Sequence, residues 1–214
     1  MEPPIAYTGA ITGYLIQSAL YCEYKPYIEA KRKSKITPGL ARRIVQRTLE
    51  AIRRIPADGK AFVKLTLAGE IMGYPAITSP DAVYFENGQP KAVIRGRIRP
   101  SRRDYPGDWA ILALASLLLS QITGRDPDTI SLTLALAENE AALEEAMRKI
   151  KNAGPKPAKN TAYTIKTRIL SGDEILQLLM RPVRILVGLD QPRSPARSRC
   201  LSCRYRIECP YKVV

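Results

Sequence analysis

Four cysteines, and where they fall, constrain this chain more than any other feature of its sequence. Three stand close together in Cys200-Leu201-Ser202-Cys203-Arg204-Tyr205-Arg206-Ile207-Glu208-Cys209-Pro210, and the fourth, Cys22, lies 178 positions before Cys200. A C-x2-C-x5-C spacing crowds three thiolates into a small volume, and a soft metal centre commonly takes four ligands. Cys22 is the thiol that remains to complete the set. The pattern therefore predicts a four-cysteine metal site clamping the two ends of the chain. Spacing alone leaves zinc and an iron–sulfur cluster both open, and Arg199, Arg204 and Arg206 favour the cluster, whose core carries negative charge. By analogy with a disulfide across a long loop, such a staple is worth roughly 5 kcal/mol. The competing readings are Cys22 as a small buried hydrophobe, and four unrelated free thiols.

The chain contains no histidine. That removes Ser-His-Asp and Cys-His catalysis, imidazole acid–base chemistry and every mixed cysteine/histidine zinc site. Carboxylates, lysines, thiolates and a bound metal are what is left for chemistry. Against 20 acids stand 34 Lys and Arg, a net charge of +14, which predicts a polyanionic partner, with an inert basic surface as the alternative. Few cysteines, three of them clustered, argue against a secreted disulfide framework. Glu2-Pro3-Pro4 lacks a signal pattern, and the longest apolar run, Trp109 to Leu119, is too short for a bilayer core of about 30 Å. An intracellular, cytoplasmic protein without a membrane partner is expected.

Periodicity predicts an amphipathic helix from Thr8 to about Lys31, with Cys22 on its apolar side and Pro26 interrupting it. A second helix is expected from Gly39 to about Arg54, capped by Thr37-Pro38, with Leu40, Ile44, Leu49 and Ile52 inward and Arg42, Arg43, Arg47 and Arg53 outside. Strands are expected over 61–67, 71–78, 82–85 and 92–99, the last two joined by the Asn87-Gly88 hairpin signal. Asp108 is read as capping a helix, apolar on nearly every face, from Trp109 to about Thr123. A strand over 129–137, a helix over 139–151, an edge strand over 163–169 and a helix over 171–180 complete the order. Residues 154–160 read as a linker, and the Pro/Arg/Ser-rich segment from Asp190 delivers the cysteines. The fold class is α/β, a single mixed-sheet domain over 1–214 with flanking helices, in which 1–35 and 190–214 form the metal-cluster subregion.

An early Leu20-Tyr21-Cys22 and a late C-x2-C-x-Y-x3-C-P segment resemble the RecB-like iron–sulfur nucleases, most closely the CRISPR-associated exonuclease "Cas four" family. The resemblance implies the PD-(D/E)xK nuclease fold and a cluster on Cys22, Cys200, Cys203 and Cys209, [4Fe–4S] ahead of [2Fe–2S] with zinc as alternative. It also implies DNA, single-stranded or with an overhang, as partner, beside the CRISPR integrase. In that family an Asp and a Glu hold Mg2+ or Mn2+ and a Lys two residues on helps to activate water. Pro80-Asp81 stands at the first position, but Arg95 and Arg97 occupy the other two. Arg43 replaces the family's histidine, and Ile111 and Ala115 replace its glutamine–tyrosine pair. A guanidinium repels a cation and stays protonated, so it neither ligates nor acts as a base.

Asp81 is thus a vestigial catalytic candidate or simply a turn-ending Asp, and Glu70 a weak candidate. Glu86 and Asp108 are candidate substitute ligands, with Lys91 as the cation. Arg95, Arg97 and Arg99 share one face of their strand, opposite Ile94 and Ile98, and with Arg102 and Arg103 make a candidate DNA-binding set. The alternative for these arginines is a charged, solvated sheet edge. Three functions follow as expectations: a degenerate RecB-like DNA-binding protein, an active metal-dependent exonuclease with a rearranged site needing Mg2+ or Mn2+, or a metal-stapled scaffold in a nucleoprotein complex.

Overall fold

The apolar run around Trp109 becomes the axis of the molecule. In this computed structural model, which describes residues 9–26, 38–193, 197–201, 203–207 and 209, it lies in the helix Pro106–Thr123, where Gly107 to Ser116 are all buried. Such a helix needs apolar partners on every side. The chain supplies them from two sheets and two further helices.

The helices are α1 (Gly13–Tyr21), α2 (Pro38–Arg53), α3 (Pro106–Thr123), α4 (Glu140–Ala153), α5 (Gly172–Leu186) and the short α6 (Arg197–Leu201). The strands are β1 (Ile11–Thr12), β2 (Lys60–Val63), β3 (Leu67–Ile71), β4 (Tyr74–Thr78), β5 (Ala82–Glu86), β6 (Gln89–Ile98), β7 (Ser131–Ala137), β8 (Ala158–Lys159) and β9 (Tyr163–Arg168). A six-stranded mixed sheet has the order β2-β5-β6-β7-β9-β8, and a smaller sheet the order β1-β4-β3. β2, β5 and β6 are antiparallel neighbours, whereas β6 and β7 run parallel. Parallel neighbours need a crossover, and α3 is that crossover.

One face of the large sheet carries Val93, Leu132, Leu134 and Leu136 against Leu112, Leu114 and Leu118 of α3, with Leu15 and Ile16 of α1 and Ile175, Leu179 and Val183 of α5 closing the same core. The other face packs Ile94, Ala135, Ala137 and Ile165 against Ala142, Ala146 and Ile150 of α4. Every residue of β7 is buried because both its faces are covered. Gly96 lets α4 come close: a Cβ there would meet Leu143 at 2.9 Å.

The α/β class, the flanking helices and the Asn87-Gly88 hairpin are as expected, with φ of 52° and 68° at the turn. Several boundaries differ. The first helix begins only at Gly13, where the Thr12 hydroxyl accepts from Leu15 N–H, and ends at an extended Cys22, which is half-buried. Ile11 and Thr12 instead form β1 on β4. The strand expected over 61–67 divides between two sheets, because Leu67 opens β3 against β4. On α2 the arginines face outward as expected, but Leu40 is 38% exposed and the buried position is Thr48, whose hydroxyl donates to Thr66 O. β9 is not an edge strand: β8, formed within the expected linker, pairs outside it. The capping residue Thr37 and the end of the first expected helix, 27–31, lie outside the described residues.

Leu114 has no exposure at the centre of this packing. Leu114→Ala should cost about 2–5 kcal/mol, read as a lower urea midpoint without a change in slope.

Candidate functional site

β6 has β5 beside it only as far as Ile94, and from Arg95 to Ile98 it runs along β7 alone, with Asp81 accepting from Gly96 N–H on the open side. Alternation sends Arg95, Arg97 and Arg99 to one face, the α3 side, and α3 begins directly over them. Asp108, in the first turn of α3, is fully buried and receives all three. Arg99 Nη1 donates to Asp108 Oδ2 at 2.5 Å and its Nη2 to Oδ1 at 3.2 Å, a bidentate pair. Arg95 Nε lies 3.6 Å and Arg97 Nε 3.8 Å from Oδ1 of the same carboxylate. Gln17 of α1 joins them, accepting from Arg95 Nη2 at 3.4 Å and donating to Asp108 Oδ1 at 3.5 Å. Asp108 also accepts from Tyr105 N–H, closing the first turn of the helix. It is therefore not the N-cap itself; Tyr105 is.

Three cations on one buried carboxylate leave uncompensated positive charge. Arg95 is 8% exposed, and its buried Nε has no hydrogen-bond partner among the described residues, which costs about 1–3 kcal/mol. Burial pushes the Arg97 guanidinium below its ordinary value, against the upward pull of Asp81 and Asp108. Asp81 is on the rim: its carboxylate accepts from Gly96 N–H at 2.8 Å, its own N–H donates to Ile94 O, and Arg97 Nη1 stands 3.6 Å away.

The candidate hydrolytic residues are accordingly not gathered. Asp81 precedes β5 and Glu86 ends it, about 16 Å away at the usual strand rise. Glu70 is an exposed residue of β3, in the other sheet. Asp108 is held by guanidiniums instead of serving as a substitute ligand, and Lys91 is exposed at the far end of β6. Ile111 and Ala115 are buried and apolar. Among the described residues no group of three or more Cys, Asp or Glu stands close enough to hold a metal ion.

The expected DNA-contacting arginines separate into inner and outer members. Arg95 belongs to the core. Arg102, at a φ of 48°, is committed to the structure: its Nη1 donates to Asn160 O and Thr161 O, and its Nε pairs with Glu138 at 3.4 Å. Arg97 and Arg99 are partly exposed, and Arg103 is exposed. Sequence reasoning missed their neighbours on β9, Lys166 and Arg168. Arg95, Leu134 and Lys166 are in register across β6, β7 and β9, which brings Lys166 to the same face. Lys166 pairs with Asp104 at 2.6 Å, and Arg168 stacks 4.1 Å over the Trp109 ring, whose N–H also donates to Asp104. Tyr105, 51% exposed under Arg99, completes a basic and aromatic surface. Basic residues at period two on β6 and β9, which flank β7, were its only sequence signal.

The second candidate site is at the chain ends, which meet. Glu23 accepts from Arg181 and from Arg193 N–H, Tyr24 donates to Pro192 O, and Arg204 donates to Tyr14 Oη at 2.8 Å. Cys200 is buried, and Cys22, Cys203 and Cys209 are half-buried. Burial pushes the Cys22 thiol up against the backbone N–H groups of Tyr24 and Lys25, and the charges of Cys209 and Cys200 push it further. Among the described residues no three of these thiols stand close enough together to hold a metal ion. Four thiols with no imidazole suit a soft centre and not a hard cation.

No family model matches the chain, and no curated protein matches it. A solved structure described as the crystal structure of SSO0001 is similar at 12% identity with a TM-score of 0.44, over 96% of this chain and 88% of that one.

Two outcomes test the electrostatics. Asp108→Ala, which removes the carboxylate shared by Arg95, Arg97 and Arg99 and leaves only the rim Asp81 beside Arg97, should destabilise the fold by about 3–5 kcal/mol in urea denaturation. The Lys166 ammonium, with help from the Trp109 indole and against partial burial, lowers Asp104 to about 2. Its folded pKa being depressed, its contribution is fully present above the unfolded carboxylate value of about 4 and is lost as pH falls towards 2. Acid titration of Asp104→Asn should show a shallower loss of stability in that window.

Proposed function

We propose that this chain is a RecB-like iron–sulfur protein that binds DNA without cutting it, a degenerate relative of the CRISPR-associated exonucleases acting in spacer acquisition or DNA processing beside the integrase. The observation that carries this reading is the fate of two positions on β6. Where the resembling family has its Glu and Lys, Arg95 and Arg97 turn onto Asp108, and Arg97 also stands against Asp81. The carboxylates that a hydrolytic Mg2+ or Mn2+ needs are neutralised by guanidiniums, and the remaining charge is positive.

The element order supports the PD-(D/E)xK reading: three antiparallel strands β2-β5-β6, a crossover helix and a parallel β7. DNA phosphates would lie over Arg97, Arg99, Arg103, Lys166 and Arg168, where cations grip the backbone without reading its sequence. Cys22, Cys200, Cys203 and Cys209 would hold the cluster. When bound, it supplies a covalent staple between the end of α1 and the tail, reinforcing the polar joints of Glu23, Tyr24 and Tyr14. Those joints supply the alignment; the thiols supply the ligands.

Labelled single-stranded DNA should survive incubation with the protein in Mg2+ or Mn2+, while binding remains strongly salt-dependent. Replacing Arg97 and Arg103 by Ala should reduce the salt slope by about one for each phosphate that is no longer neutralised. Divalent-dependent turnover abolished by Asp81→Ala would sink the non-cutting reading. The pure protein should be brown and contain iron; a colourless protein with stoichiometric zinc would replace the cluster by a zinc staple.

A further inference from the structure

α2 carries a face whose charge the fold leaves uncompensated. At about 3.6 residues per turn Arg42, Arg43, Gln46, Arg47, Glu50 and Arg53 fall within about 140° of its circumference, and all six are exposed. We infer that this face is a docking surface for the phosphate backbone of a nucleic-acid duplex, gripped by the four arginines without regard to base sequence. The inference rests on the proposed DNA binding for its class of ligand, and it places a second contact on an element separate from β6 and β9.

The arginines are available to a ligand. Among the described residues none of their four guanidiniums makes a hydrogen bond, an ion pair or a ring contact, and Glu50, the one acid of the arc, pairs with none of them. The opposite side of α2 is committed: Thr48 donates to Thr66 O, and Ala51 and Ile52 pack against the main core. The helix therefore cannot roll to hide its charges. The flanking sequence adds no neutralising run, since 27–37 holds Lys31, Arg32, Lys33 and Lys35 against Glu29. Helix stability does not account for the pattern either. The first turn has no acid to complement the dipole, and Arg43 and Arg47 are a like-charged pair one turn apart, which repels.

What the face lacks selects its partner among anions. A helix that lies on a membrane buries an apolar side in it, and apart from Leu40 in the first turn α2 exposes no large apolar side chain. A protein partner is held chiefly through buried aromatic and apolar anchors, which the arc does not offer. A single strand is held by rings stacked on its free bases, and α2 contains no aromatic residue. A duplex keeps its bases inside and presents charge alone, at about one phosphate per 3.4 Å of each strand. From Arg42 to Arg53 the helix rises about 16 Å, a length over which one strand carries about five phosphates. The planar guanidinium fork matches phosphate oxygens in pairs.

The test is fluorescence anisotropy of the full-length protein with a labelled 15-base-pair duplex and labelled dT15 over a series of salt concentrations. Arg43→Gln combined with Arg47→Gln should weaken the duplex roughly tenfold and lower its salt slope by about two, while dT15 changes by less than about twofold. The urea midpoint of that variant should equal or exceed the parent's, because a repulsive pair is gone and glutamine forms helix about as well as arginine. Glu50→Gln, which removes the acid from the arc, should tighten the duplex by about twofold, a gain that misfolding cannot produce. Unchanged duplex affinity and slope in the double variant, or a loss on dT15 as large as on the duplex, would overturn the duplex surface. If Arg97→Ala with Arg103→Ala weakens DNA binding where the α2 variant does not, the proposed DNA binding stands without this surface. A parent that binds neither duplex nor single strand would overturn both.

Discussion

The buried carboxylate of Asp108 is the contact on which the rest of the structure turns. It lies at the positive end of the central helix, where a negative charge is favoured, and it is the reason three guanidiniums can enter an apolar layer. Through it the C-terminal half of β6 is tied to α3, and through Gln17 to α1. Without such a partner the arginines of β6 would have to leave the core side of the sheet, and α3 could not close over them. The pairing is incomplete, since Asp108 and the rim carboxylate of Asp81 serve three cations. The surplus charge emerges at Arg97, Arg99 and Arg103, beside Lys166 and Arg168.

This arrangement has a functional meaning that a row of surface arginines would lack. A hydrolytic site for phosphodiesters keeps carboxylates open to a cation and a base free to take a proton. Here the same end of the sheet keeps its carboxylates occupied and its cations permanently charged. That occupancy is what supports the proposed retention of a phosphate chain over its cleavage.

At the two ends of the chain, ordinary polar contacts precede the staple expected from the cysteines: Glu23 with Arg181 and Arg193, Tyr24 with Pro192, Tyr14 with Arg204. The carboxylates in that joint also shift Arg181 upward, chiefly through its hydrogen bonds to Glu23. A centre that binds thiolates gains from ends that are already aligned, since less conformational entropy remains to be given up.

Patterns with short range were legible in the sequence. Asn87-Gly88 marked the hairpin because few other pairs accept two left-handed residues. The run from Trp109 marked the buried helix because no charge interrupts it, and the period-two arginines marked a common face. The break of the first helix at Thr12 and Cys22 and the division of 61–67 between two sheets were not legible, because each depends on which strand arrives alongside. Residue spacing alone determined the side on which Arg95, Arg97 and Arg99 lie and the sulfur chemistry available to the chain. Only the tertiary structure decided that this side faces inward, onto Asp108, and that the basic surface continues on β9. The physical reason is that a strand's alternation assigns its faces but not their environment. Burial and charge pairing are settled when α3, nine residues beyond Arg99 at Asp108, folds back over the sheet.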